Sequence, residues 1–245
     1  MTNASTYYHR GGITIYHGDC LEVLPTLPSE SIDFVLTDPP YLVGYQGRWD
    51  STRKVIVGDE DPSWLRPAFA DIYRLMKPDT LCVSFYGWPH VDSFLGIWKE
   101  IGFRPVSHLA FVKRQWGLGR FTRSGHETAF LLAKGKPRKP QTAISDVFDW
   151  QRDEITFHPN QKPVAALTSI LHIYCPVDGL VLDPFMGSGS TLRAAKDLSL
   201  RAVGIEIEER YCRKAAARLA QGILIPLVQN DAVSALPDLV RLVEG

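Results

Sequence analysis

The stretch Leu180-Val-Leu-Asp183-Pro-Phe-Met-Gly187-Ser-Gly189-Ser-Thr191 decides the reading of this 245-residue chain. Three apolar residues make a short buried strand that stops at Asp183, turns through Gly187 and Gly189, and enters a helix at Ser190-Thr191. A strand–glycine turn–helix unit of this kind aims backbone N–H groups at a ligand. It is not the dinucleotide fingerprint, because Leu192 stands where G-x-G-x-x-G needs its third glycine. It also lacks the Gly-Lys-Ser/Thr of a phosphate loop. Glu206, 17 residues after Gly189 at the end of the next apolar run, is placed to accept hydrogen bonds from ribose hydroxyls. A nucleoside without phosphates suits the unit better than a pyrophosphate, although a purely structural turn gives the same local pattern.

Outward from this unit, short apolar runs alternate with helical patterns. Residues 13–17, 32–37, 81–86, 180–182 and 202–207 read as buried strands. Residues 103–112 and 128–133 read as a hairpin around a basic loop. Residues 63–76 are amphipathic and stop at Lys77-Pro78, since proline cannot continue a helix. Further helices are expected over 21–27, 91–101 closed by Gly102, 163–174 with Pro163 in the first turn, 190–198 and 208–221. The alternation predicts an α/β fold, a mostly parallel sheet with helices on both faces, as one domain over residues 1–245. Two segments lack periodicity, 42–62 and 134–161, and function concentrates in such long loops at strand ends.

Composition excludes a mainly disordered chain and a coiled coil, with 45% hydrophobic and 22% charged residues. The 27 Lys and Arg balance the 27 Asp and Glu, so bulk charge argues against electrostatic coating of nucleic acid. The average conceals one stretch. Residues 113–139 hold Lys113, Arg114, Arg120, Arg123, Lys134, Lys136, Arg138 and Lys139 against Glu127 alone, a local charge of +7. Cys20, Cys82, Cys175 and Cys212 are scattered without ligand spacing, so no metal site is expected and reduced cytoplasmic thiols are the simple reading. No apolar run is long enough to cross a bilayer, and residues 1–12 lack the apolar core of a signal peptide.

A second motif, Thr37-Asp38-Pro39-Pro40-Tyr41, follows the strand at 32–37. Its prolines fix the backbone and remove two N–H donors, which leaves carbonyl oxygens free to face a ligand. Carboxylate, carbonyl and aromatic plane together suit an exocyclic amino group on a planar base. In isolation a proline pair reads equally as a rigid strand-ending turn with a core tyrosine.

Together, Asp38-Pro-Pro-Tyr41 and Asp183-Pro-Phe-Met-Gly-Ser-Gly189 resemble the S-adenosylmethionine-dependent DNA amino-methyltransferases. The tetrapeptide precedes the glycine loop by 145 residues, an order similar to that of the family's beta group, whose chain is a permuted version of the common methyltransferase fold. His158-Pro-Asn-Gln-Lys-Pro163 is similar to the family's His-Pro-x-Gln-Lys-Pro motif, and His17-Gly-Asp-Cys-Leu-Glu22 to its amino-terminal cofactor segment. His126-Glu127 ahead of Phe130-Leu-Leu-Ala-Lys134 resembles its late strand motif, and the likeness spans residues 13–221.

The resemblance implies a Rossmann-like fold, S-adenosylmethionine as cofactor, and methylation of the N6 amino group of adenine in double-stranded DNA after the base is flipped out. Asp38 and the Pro39 carbonyl would hold the amino group while Tyr41 stacks on the base. On the cofactor side, where Asp38 also borders, Phe185, Gly187 and Gly189 would line the methionine end, and Asp183 would join the cofactor site, although it reads also as a plain cap of the glycine turn. Ser190 or Thr191, with Gln161 and Lys162, would meet the methionine carboxylate. Glu206 would hold the ribose and Asp19 the adenine or a neighbouring hydrogen bond.

For DNA, residues 113–157 are expected as a basic hairpin and short recognition region. Lys113, Arg114, Arg120, Arg123, Lys136, Arg138 and Lys139 would contact phosphates, and Trp116 and Phe121 would fill the space left by the flipped base. Arg48, Arg53 and Lys54 lie in an expected mobile loop, 42–62, that would close over the base. Each charge run reads also as a plain solvated face. The gap 135–157 is only 23 residues, too short for a separate recognition domain, so readout from several loops or from the second subunit of a homodimer is expected.

Cytosine-N4 methylation is the alternative within the class; Asp38 favours adenine because cytosine-N4 enzymes more often carry Ser there. A non-catalytic nucleotide-binding module would not need Asp38 and Tyr41. An RNA or protein-glutamine methyltransferase would sooner show Asn-Pro-Pro-Tyr. Cytosine-C5 chemistry needs a Pro-Cys nucleophile, and here Cys175 precedes Pro176 instead. A cytoplasmic enzyme, bacterial or phage-encoded, with or without a cognate restriction endonuclease, is the resulting expectation.

Overall fold

Apolar residues at successive positions of each central strand demand cover on both faces of the sheet. The computed structural model describes residues 5–42, 59, 61–114, 121–140, 142–150 and 161–221. Along it run β1 (Ser5–Arg10), β2 (Ile13–His17), α1 (Cys20–Val23), β3 (Ile32–Thr37), α2 (Leu65–Leu75), β4 (Met76–Phe85) and α3 (Val91–Ile101). There follow β5 (Arg104–Lys113), β6 (His126–Lys134), β7 (Val147–Trp150), α4 (Val164–Tyr174), β8 (Leu180–Asp183), α5 (Ser190–Asp197), β9 (Arg201–Glu206) and α6 (Glu209–Ala220). One sheet holds the strands in the order β1-β2-β9-β8-β3-β4-β6-β5-β7. The five from β2 to β4 are parallel, while β1 and β6 run against their neighbours. Phe34 and Leu36 of β3 pack on the face covered by α4, α5 and α6; Ile32 and Val35 pack on the face covered by α1, α2 and α3.

Mostly parallel strands between two helical layers match the expectation. Three local features do not. The edge strands β1 and β7 are not among the expected strands: β1 has no buried residue and the four-residue β7 buries only Trp150. Helix α2 ends at Leu75, and β4 starts at once at Met76 rather than at Leu81. Ile32 pairs with Met76 and Phe34 with Leu81, so residues 77–80 bulge out, with Asp79 at a positive φ of 58°. Pro78 fits such a bulge, where no ladder N–H is required. Of the expected loop at 42–62, only Leu42, Asp59, Asp61 and Pro62 are among the described residues.

Crossovers fix where a ligand can sit. From β3 the chain steps through α2 to β4, and from β8 it steps the other way through α5 to β9. Right-handed connections taken in opposite directions put their helices on opposite faces, which opens a crevice at the carboxyl ends of β3 and β8. Asp33 secures the other end of this strand pair: one carboxylate oxygen accepts the Leu180 N–H at 2.9 Å and the other meets Lys77 Nζ at 2.6 Å. Asp33→Ala leaves that N–H unpaired and should lower unfolding free energy by about 1–3 kcal/mol. A urea midpoint equal to that of the wild type would overturn this assignment.

Candidate active site

At the carboxyl ends of β3, β8, β9 and β2, four carboxylates converge. The Thr37 hydroxyl donates to Asp183 Oδ1 at 3.1 Å, and the same oxygen accepts the Phe185 N–H at 3.2 Å. Thr191 adds its hydroxyl to this buried carboxylate. Burial outweighs these bonds and pushes the Asp183 pKa up to about 7. Glu206 accepts the Gly187 N–H at 3.0 Å and the Glu208 N–H at 2.8 Å, and burial lifts its pKa to about 7 as well. Asp19 caps α1 through the Leu21 N–H at 2.9 Å, while Gly18 N–H bonds the Glu206 carbonyl at 3.0 Å and holds this segment against β9.

The glycine turn has the conformation its sequence requires. Gly187 and Gly189 have φ of 51° and 79°, the left-handed region that side chains with a Cβ resist. At Gly189 a Cβ would also come within 2.7 Å of Ala215 Cβ, so this glycine permits α5 to approach α6. Ahead of Gly187 lies open space. Ser190 accepts a hydrogen bond at 2.8 Å from Arg218, which is itself buried. Phe185 stands edge-on to Trp64, with ring centroids 5.1 Å apart.

Across the crevice, Asp38, Tyr41 and Lys162 form a closed triangle. Tyr41 donates its hydroxyl to Asp38 Oδ1 at 2.7 Å, while Lys162 Nζ lies 2.9 Å from Asp38 Oδ2 and donates to the Tyr41 hydroxyl at 2.9 Å. Burial, reinforced by the Asp38 charge, raises the Tyr41 phenol well above its ordinary range. Pro39, next to Asp38 in the chain, is buried. Lys162, expected at the methionine carboxylate, thus lies on the Asp38 side of the crevice; Gln161 precedes it, and His158, Pro159 and Asn160 are outside the described residues.

Two residues that sequence reasoning missed shape the rim. A Cβ on Gly87 would fall 2.3 Å from the Tyr41 carbonyl oxygen, so only glycine lets the backbone of Tyr41 lie there. A lone glycine after a strand gave no sign of this contact. Trp88 follows with 78% of its surface exposed. The Tyr-Gly-Trp-Pro run beyond β4 was the one available hint, an exposed aromatic beside a turn at the ligand end of the sheet.

The basic run of residues 113–139 is divided along the sheet. Strand β6 separates the cations: Lys113 and Arg114 end β5 at the active-site end of the sheet, and Arg123 lies in the exposed approach to β6. Lys136 follows β6 at its other end, where its N–H bonds Asp79, and Arg138 and Lys139 come next. Nine residues of strand put about 27 Å between the two groups. Lys113 pairs with Glu127, Arg114 with Asp149 at 3.2 Å, and Lys134 donates to the Tyr73 and Met76 carbonyls at the end of α2. Arg48, Arg53, Lys54, Trp116 and Arg120 are outside the described residues. Among the described residues no cluster that could hold a metal ion occurs, and no helix is long and apolar enough to cross a membrane.

Comparison with known proteins decides the family. The N6/N4 DNA methylase model matches residues 32–217. The chain belongs to this DNA methyltransferase family. It is 44% identical over 203 residues to YubD of Escherichia coli K12, a methylase by name, covering 83% of this chain and 88% of that one. The DNA adenine methyltransferase YhdJ of the same organism is 26% identical over 245 residues, covering 84% and 82% of the two chains. Among solved structures, M1.HpyAVI, also known in complex with SAM, superposes with a TM-score of 0.67 at 26% identity over 86% of this chain and all of that one. The cytosine-N4-specific PvuII DNA methyltransferase shares the fold, with a TM-score of 0.74 at 19% identity over 92% of each chain.

Two outcomes follow from the geometry. Asp183 and Glu206 titrate near 7 when folded and near 4 when unfolded, so between these values the native state holds the extra protons. Their contribution to stability therefore falls as pH rises from about 4 to about 7. Relative to the wild type, Asp183→Asn should gain stability across that window; parallel profiles would contradict the raised pKa. Gly87→Ala, which displaces Tyr41, should reduce methyl transfer about tenfold or more without changing cofactor affinity. Unchanged turnover would show that the Tyr41 backbone position is not needed.

Proposed function

We propose that this DNA methyltransferase transfers a methyl group from S-adenosylmethionine to the N6 amino group of adenine, at a specific sequence in double-stranded DNA, with the target base flipped out of the helix. The observation that carries the reading is the pairing of Asp38 with the Tyr41 plane at the mouth of the β3–β8 crevice, directly beside the glycine turn.

The residues fit the cofactor. Asp19, Asp38, Asp183 and Glu206 line the site with carboxylate acceptors, which suit the hydroxyls and cationic centres of this cofactor better than a polyphosphate. Open space ahead of Gly187, with α5 starting behind it, accommodates the methionine end, where Phe185, Gly189, Ser190 and Thr191 also lie. Glu206 and Asp19 would hold ribose and adenine, Glu206 by exchanging its bond to the Gly187 or Glu208 N–H for hydroxyl groups. When bound, S-adenosylmethionine supplies an electrophilic methyl group.

The other half of the chemistry belongs to the protein. An exocyclic amine on an aromatic base is a weak nucleophile because its lone pair is delocalised into the ring. Asp38 and the Pro39 carbonyl, accepting its two N–H bonds, favour a tetrahedral nitrogen and release that lone pair. Tyr41 supports the extruded base, whose unstacking costs roughly a few kcal/mol. Positioning and electrostatics suffice, with no covalent enzyme intermediate.

Lys113, Arg114 and Arg123, at the site end of the sheet, are the proposed phosphate contacts, joined by the exposed Trp88 at the rim. Lys136, Arg138 and Lys139 would reach DNA only if the duplex or a second subunit extends to the far end of β6, which is compatible with a homodimer. The working setting is the cytoplasm, on chromosomal or phage DNA. Adenine is favoured by Asp at the first position of the tetrapeptide; the alternative is cytosine-N4. Asp38→Ala should abolish transfer and leave cofactor affinity within about twofold. Nucleoside analysis of DNA from a methylation-free host expressing the wild type should yield N6-methyladenine. N4-methylcytosine would overturn the base assignment, and full turnover by Asp38→Ala would overturn the mechanism.

A further inference from the structure

Lys162 sits in a cage that its sequence context does not explain. Besides Asp38 Oδ2 and the Tyr41 hydroxyl, its ammonium faces three aromatic rings: Phe85 at 4.9 Å from the centroid, Tyr41 at 5.1 Å and Trp150 at 5.9 Å. Its side chain is 10% exposed, against 31% for Asp38. Phe85 ends β4, Trp150 ends β7 and Tyr41 follows β3, so three strands contribute walls to one cation site. An ordinary structural ion pair needs no such walls. Aromatic faces around a cation are how proteins bind ammonium groups.

We infer that Lys162 is a built-in occupant of the target-amine subsite, holding the place of the base amino group in the protein without DNA and withdrawing when the base enters. The inference rests on the proposed amine chemistry at Asp38. An ammonium and an exocyclic amino group are both nitrogen-centred N–H donors, and both would engage the Asp38 carboxylate and rest against the Tyr41 ring. A carboxylate with only 31% of its side chain exposed is costly to hold without a counter-charge, and Lys162 supplies one until the base arrives. Its flexible four-carbon stem, rooted just before α4 begins at Val164, lets the tip leave without moving the backbone. Lys162 is therefore a positioning residue, with its effect on the DNA side of the reaction.

The test begins with wild-type protein and unmethylated bacterial genomic DNA, which reveals whether methyl groups are transferred and into which sequence. A short duplex of that sequence is then added to protein carrying labelled lysine, and the Lys162 side-chain resonances, assigned by their loss in Lys162→Met, are followed by NMR. In the free protein they should be displaced by the aromatic ring currents, and the duplex should abolish that displacement. In kinetics, Lys162→Met should lower KM for DNA about fivefold while the dissociation constant for S-adenosylmethionine stays within about twofold. Resonances unmoved by a duplex that is being methylated would overturn the inference and leave the methyltransferase reading intact. So would a Lys162→Met protein with weakened cofactor binding and an unchanged KM for DNA. Absence of any transfer by the wild type would instead overturn the methyltransferase reading, and the inference with it.

Discussion

Two carboxylates stitch β3 to β8, one at each end of the pair. Asp33 binds the first N–H of β8, and Asp183 at the end of β8 receives the hydroxyl of Thr37 at the end of β3. Between them the strands share a short parallel register, Phe34 with Val181 and Val35 with Leu182. The crevice, and the placing of Asp38 on one lip with the glycine turn on the other, depend on this alignment. A slip of one residue would turn Phe34 out of its core and carry Asp38 away from the opposite lip.

The same economy explains the charges. Asp183 and Glu206 are buried at the expense of stability, and each is held by backbone N–H groups or hydroxyls rather than by a cation. A fold optimised only for stability would not keep two such groups side by side at strand ends. Their hydrogen-bond partners are in place and their desolvation is complete in the folded chain itself. Asp38 differs, since its charge is compensated by Lys162.

Much of this was legible in the sequence because buried strands and amphipathic helices leave periodic traces. The hairpin of β5 and β6, the helix closed by Gly102 and the glycine turn all follow from local pattern. β1 and β7 left no trace because edge strands bury too little to impose alternation. Gly87 was invisible because its constraint comes from the backbone of Tyr41, a residue 46 positions away. The contact of Lys162 with Asp38 was not legible, since nothing local links the two residues. The basic run was legible as a sum, yet a sum over consecutive residues ignores that one extended strand carries its two ends to opposite edges of the sheet.

Strand order also sets a timetable for synthesis. β2, the second strand of the described chain, has its parallel partner in β9, so Ile13 meets Ala202 across 189 residues. Likewise β3 waits for β8. A ribosome-bound chain thus carries Asp38 and Tyr41 well before the glycine turn exists. Until β8 and β9 are made, β2 and β3 each present an unpaired apolar edge. Long-range parallel pairing of this kind folds slowly and exposes such edges to other chains. The permuted order that separates the two motifs by 145 residues therefore makes completion of the glycine turn and closure of the central sheet the same late event.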